Sequence, residues 1–108
     1  MLKAEFKEDK KTLTLGFAGH IDTILSTQYE QELKEALAKT PGFTEDQPLD
    51  LDLILDLKDV TYIASSFIRL CVYAAKQVPK GRFTIVNSNP MIKKTFKIVG
   101  MDDLLQVS

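Results

Sequence analysis

The run Leu51 to Leu57 is dense in Leu and Ile and is cut only by Asp52 and Asp56. A strand this apolar is buried on more than one side and belongs in the middle of a sheet. The chain around it must therefore supply neighbouring strands and a covering layer. Lys58 to Ala64 leads out of the strand into Ser65 and Ser66, both good helix-capping types. Ile68, Cys71, Val72 and Ala75 follow at helical spacing, which predicts a helix from about Ser66 to Gln77 that ends near Pro79 and Gly81.

The flanking segments fill in the other layers. Leu2, Ala4 and Phe6 alternate with charged residues, and after Glu8 to Lys10 the alternation resumes at Leu13, Leu15 and Phe17. This is the pattern of a hairpin of two half-buried strands. Gly19 to Ile24 breaks the alternation, and Thr27 with Glu30 has the spacing of a capping box, so a helix is expected over about Thr27 to Lys39. Its apolar stripe is Tyr29, Leu33, Ala36 and Leu37. Thr40 to Pro48 reads as a polar loop. Arg82 to Asn87 is a short strand, and Asn89 before Pro90 marks a third helix. That helix has Ile92, Thr95, Phe96 and Val99 inside, Lys93, Lys94 and Lys97 outside, and Gly100 as its cap. Leu104 to Val107 is expected as a last edge strand.

After the opening hairpin each helix becomes a right-handed crossover between parallel strands. The expected fold is α/β: a sandwich on a mixed four- to five-stranded sheet with an opening antiparallel hairpin and three crossover helices, all within one domain spanning residues 1–108.

Composition narrows the function. The 108 residues are 44% hydrophobic and 27% charged, with a formal net charge of -1. That is too apolar for a disordered chain and offers no basic footprint for nucleic acid. The apolar runs are far shorter than the roughly 20 residues that span a bilayer. A cytoplasmic location without membrane insertion is expected. The single cysteine, Cys71, lies among Leu70, Val72 and Ala74 and reads as a core residue. No glycine-rich phosphate loop accompanies Gly16 and Gly19, so no nucleotide cofactor is expected.

Catalytic constellations are weak. His20 is the only histidine, and its spacing from Ser65, Ser66 and any carboxylate suggests neither a metal site nor a catalytic triad. Asp56 and Asp59, three apart on an extended segment, are expected to face opposite ways and to be solvated. Asp22 reads as a turn or cap residue, and Ser66 as the cap of the second helix. Arg69, one turn beyond Ser66, is a candidate for the surface beside it. The three lysines of the last helix read as a solvated face.

Three stretches carry a family resemblance. Leu53 to Leu70, LILDLKDVTYIASSFIRL, resembles the signature of STAS domains, an apolar strand ending in an Asp-Ser-Ser-Gly turn that opens a helix. GHID at Gly19 to Asp22 is similar to that family's Gly-x-Leu/Ile-Asp turn. VNSNPMIKKTFKIVGMDDLL at Val86 to Leu105 resembles its final Asn-x-x-Pro helix and Gly-hydrophobic-Asp ending. The likeness is to the anti-sigma factor antagonist kind.

That resemblance implies a non-enzymatic regulator that works by partner switching. The unphosphorylated domain would bind an anti-sigma factor or serine kinase, phosphorylation would release it, and a cognate phosphatase would reset it. The implied phosphorylation site is Ser65, with Ser66 as second candidate. The implied partner surface takes in Gly19, His20 and Asp22 from the first turn. From the second come Ala64, Ser65, Ser66, Phe67 and Arg69, with Phe67 as an apolar anchor. Two residues depart from the family: Ala64 replaces its aspartate and Phe67 its glycine. An alternative of the same fold is a STAS subunit that docks on the ATPase of a membrane lipid ABC transporter and is never phosphorylated. A small α/β enzyme with a serine nucleophile would need a base, and none stands at a recognisable position. A homodimer is a further expectation, through a sheet or helix face exposed near Ser108, where many members of that family carry a terminal helix.

Overall fold

The computed structural model describes residues 1–108. It opens with β1 (Lys3–Lys7) and β2 (Thr12–Ile21), paired antiparallel from Lys7 opposite Thr12 to Lys3 opposite Gly16. Leu13, Leu15 and Phe17 on β2 are buried, whereas β1 contributes only the half-buried Phe6, with Leu2 just before it. Ala4, on the same alternation, is exposed because β1 lies at the sheet edge.

The remaining order is α1 (Thr23–Ala38), β3 (Asp52–Ile63), α2 (Ser65–Ala75), β4 (Phe83–Val86) and α3 (Pro90–Ile98). Strands β2, β3 and β4 are parallel, and the sheet order is β1-β2-β3-β4. The dense Leu/Ile strand is thus interior, as its composition required. The α1 and α2 crossovers step across the sheet in one direction, so right-handed connections put both helices on the same face. Burial follows: Leu53, Leu55, Leu57, Phe83 and Ile85 are buried with the β2 set, while Thr14, Ile54, Asp56, Thr84 and Val86 between them are half-buried.

Strand β3 runs past its expected end at Leu57 because two irregularities keep it paired with β2. Asp56 stands opposite Gly16, but Asp59 stands opposite Ala18, and Tyr62 rather than Thr61 meets His20. Each bulge inserts one residue into β3. The first returns Val60 to the core and brings Asp59 onto the face already held by Asp56, so both line one depression with Lys3 and Lys58. The expectation that the two carboxylates face apart is therefore wrong; simple alternation ignores the extra residue. The expectation of solvation fits better for Asp59, which is exposed, while Asp56 accepts from Lys58 N at 3.0 Å and Asn87 Nδ2 at 3.0 Å.

The first helix starts a turn earlier than the Thr27 pattern suggests. Asp22 is its N-cap, with Oδ1 accepting from Leu25 N at 2.8 Å. Thr27 lies inside the helix, where its hydroxyl donates to Thr23 O at 3.1 Å. Ser26, Tyr29, Leu33 and Leu37 form the buried stripe. At the other end of the chain Asn89 caps α3 through Ile92 N at 2.8 Å, and Pro90 is its first residue. Ile92 and Phe96 are buried, but Val99, expected inside, is 47% exposed because α3 ends beside it. Gly100, at φ 74, gives the left-handed turn, with its N–H on Lys97 O and Met101 N–H on Phe96 O.

The expected last strand reduces to a single parallel bridge between Val107 and Ile85. Residues 102–106 are turns, and Leu105 is drawn into the core.

Candidate functional site

The parallel strands deliver three helix N-termini to one edge of the sheet. Ile21 passes through Asp22 into α1, Ile63 through Ala64 into α2, and Val86 through Asn89 into α3. Hydrogen bonds tie the edge together: Ala64 N donates to Ile21 O at 2.8 Å, and Asn89 Nδ2 donates to Val60 O at 3.4 Å. In open α/β sheets ligands bind at this carboxyl edge.

Two of the three helices are capped by side chains there, and α2 is not. Its N-cap is Ala64, extended at φ -87 and ψ 165, with no side-chain acceptor. Ser66 is therefore not the cap expected from sequence. It is the second helical residue, and its Oγ is buried without a hydrogen-bond partner. Ser65, the first helical residue, is exposed, and Arg69, one turn later and on the same side of the helix, is exposed as well.

Phe67 departs from the expected role of surface anchor. It is fully buried, its ring edge-on to Phe17 at 5.2 Å and 78°, and Phe17 is edge-on to Tyr29 at 4.9 Å and 78°. Tyr29 anchors this aromatic column to β2: its hydroxyl donates to Ala18 O and accepts from Ala18 N, each at 3.1 Å. The helical period decides the matter, because Ser65 and Phe67 are two residues apart and point in different directions.

The first turn brings further groups to the rim. Gly19 sits at φ 95, a conformation glycine adopts without the steric cost of a side chain. His20 is exposed and stacks on Tyr62, its register partner on β3, with centroids 4.3 Å apart and planes 13° from parallel. Asp22 is exposed, and Ile24 is 73% exposed. Tyr62 escapes a reading of the sequence because only the second bulge sets it beside His20. The imidazole stacks on a phenol and hydrogen-bonds neither serine, and no cluster of three or more His, Cys, Asp or Glu has metal-binding geometry.

Elsewhere, Cys71 is fully buried, and burial pushes its thiol pKa well up. Asp50 and Asp52 hold Arg82 at the opposite edge of the sheet, and the Arg82 and Lys11 hydrogen bonds lower the Asp50 pKa. No helix is long and apolar enough to cross a membrane.

Comparison with known proteins agrees with this architecture. No curated protein matches the chain in sequence. An anti-sigma factor antagonist from Mycobacterium paratuberculosis has the same fold, with a TM-score of 0.77 at 18% identity, over 99% of this chain and 83% of that one. The anti-sigma factor antagonist SpoIIAA in its unphosphorylated form gives 0.72 at 15% identity, over 100% of this chain and 88% of that one. The phosphorylated form of the Bacillus cell fate determinant SpoIIAA gives 0.64 at 16%, over 100% and 91%. The STAS domain family itself matches residues 3–108. With that match covering nearly every residue and the sheet, crossovers and serine turn in place, the chain belongs to the STAS domain family.

Proposed function

We propose that this chain is a protein-binding switch module of the anti-sigma factor antagonist type, without turnover of its own, and that Ser65 is where it is switched. The observation that carries the reading is the exposure of Ser65 at the first position of α2. Around it the rim offers Asp22, His20 on Tyr62, Ile24 and Arg69, a mixture of charge and apolar area suited to a protein partner. A phosphate on Ser65 adds about -1.5 to -2 charges at pH 7. The N-terminus of α2, free of any capping carboxylate, accommodates that charge. A partner docked on the rim for the uncharged serine does not. Release then needs no unfolding.

The partner in this reading is an anti-sigma factor or serine kinase, with a phosphatase that resets the serine. The likeness to SpoIIAA in both unphosphorylated and phosphorylated forms supports the class. Incubation with ATP and the serine kinases of the source cell, followed by mass-spectrometric mapping, tests it. Phosphate on Ser65 is expected, and Ser66 should stay unmodified because its hydroxyl is buried. Phosphate elsewhere, or none with any of those kinases, overturns the reading.

One observation favours a second reading, in which the domain docks on the ATPase of a membrane lipid ABC transporter and is never phosphorylated. Ala64 occupies the cap position where the family carries aspartate, so a kinase that reads that carboxylate has nothing to grip. Recovery of an ABC ATPase on the tagged chain, lost with Arg69→Glu and Asp22→Lys, would select this reading.

A further inference from the structure

The two edges of the sheet are finished differently. At the β4 edge the end of the chain lies alongside: Ile85 N donates to Gln106 O at 3.3 Å and Ser108 N donates to Ile85 O at 2.9 Å. At the β1 edge no other segment pairs; β1 bonds only to β2, and of its five residues only Phe6 is not exposed. An edge strand presents alternate N–H and C=O groups outward, a template for another strand. Charged side chains commonly blunt such an edge, and a row of one sign also repels its own copy. Here Lys3, Glu5 and Lys7 alternate in sign along one side of the strand.

We propose that this edge is the interface of a homodimer, in which a second copy adds its β1 antiparallel to the first and joins two four-stranded sheets into one. The sequence of β1 selects the register. With the two-fold axis through Ala4, Lys3 of each copy stands opposite Glu5 of the other, and Leu2 stands opposite Phe6. Both of these apolar residues already pack against the core, so the pairing extends its apolar side. An axis through Glu5 instead sets Lys3 against Lys7 and Glu5 against Glu5, and like charges directly opposite destabilise a pair. An axis through Phe6 sets Ala4 against Glu8, which lies in the hairpin turn. Glu32 Oε1 already takes the Leu2 N–H at 2.8 Å, so that group adds no ladder bond to the second copy.

Residues 106–108 lie on Ile85 at the β4 edge, so in each copy β1 is the edge left uncovered. Pairing consumes both and stops at two chains, a closed isologous arrangement. Strand β1 lies beside residues 12–16 of β2, away from the rim at His20 to Asp22, so the dimer leaves the Ser65 surface open and stands independently of its role.

Sedimentation equilibrium of the whole chain across a range of concentrations tests the interface. The expected result is a dimer whose dissociation constant rises roughly tenfold or more in Glu5→Lys, which makes the row all basic, and similarly in the double variant Lys3→Glu with Lys7→Glu, which makes it all acidic. An equimolar mixture of the two variants should recover a mixed dimer, which also demonstrates that both remain folded. A monomer at every concentration overturns the proposal. So does a dimer that is indifferent to both charge variants.

Discussion

Phe67 meets Phe17 edge to face at 5.2 Å beneath the first turn of α2, so the bulk that follows the two serines points into the core and leaves Ser65 uncovered. The ring fills space that a glycine would leave empty, and the same contact holds the turn at a fixed height above β2. Truncation with Phe67→Ala removes a fully buried aromatic and should cost about 3–5 kcal/mol in urea unfolding, transfer and cavity terms together. Arg69→Ala, two residues on and exposed, should stay within about 0.5 kcal/mol. If the two variants proved equally mild, Phe67 would not be the packing residue described.

Ala64 leaves α2 with the one uncapped N-terminus on this edge. Ala64→Asp places an acceptor at the N-cap and a negative charge at the positive end of the helix. A gain of about 1 kcal/mol is expected in denaturant midpoint experiments.

The neighbouring hydroxyl behaves oppositely to a cap. Ser66 Oγ is buried with no protein partner, so Ser66→Ala removes a desolvated polar group and should be neutral or stabilising. Were Ser66 the true cap, the same change would instead lose about 1 kcal/mol, and calorimetry separates the two outcomes.

Loss of the caps that do exist should cost more. Asp22→Ala frees Leu25 N and Asn89→Ala frees Ile92 N, each bonded at 2.8 Å. A loss of about 1 kcal/mol apiece is expected. The two helices are separate in the fold, so the double variant should lose close to the sum.

These residues also mark how far the sequence speaks. The Asn89-Pro90 start, the interior position of the Leu/Ile strand and the opening hairpin follow from local rules, since each rests on a cap, a period or a run of apolar residues. Asp22 against Thr27 could not be resolved the same way, because both are good cap types and the outcome depends on where β2 stops. The Asp56–Asp59 face and the His20–Tyr62 stack depend on two bulges in β3, and a bulge is a compromise between paired strands, absent from either strand alone. Ser66 was legible only from the true helix start, since a cap and a first-turn residue differ by a single position, whereas Phe67 lies four before the core residue Cys71 and follows from the helical period.

Cys71 supplies the pH dependence. Burial raises its thiol pKa in the folded chain, whereas an unfolded cysteine ionises near about 8.5. Below that value both states carry the proton and the group is silent. Above it the unfolded chain binds fewer protons than the native one, so stability falls as pH rises, by up to about 1.4 kcal/mol per unit for this one group. Cys71→Ala should lower stability somewhat at neutral pH through the lost volume, yet lose stability less steeply between pH 9 and about 10.5. The difference between the two slopes isolates the thiol from the tyrosines and lysines that titrate in both proteins. Parallel slopes would mean that the thiol reaches water in the native state, and a thiol reagent would then label it without unfolding.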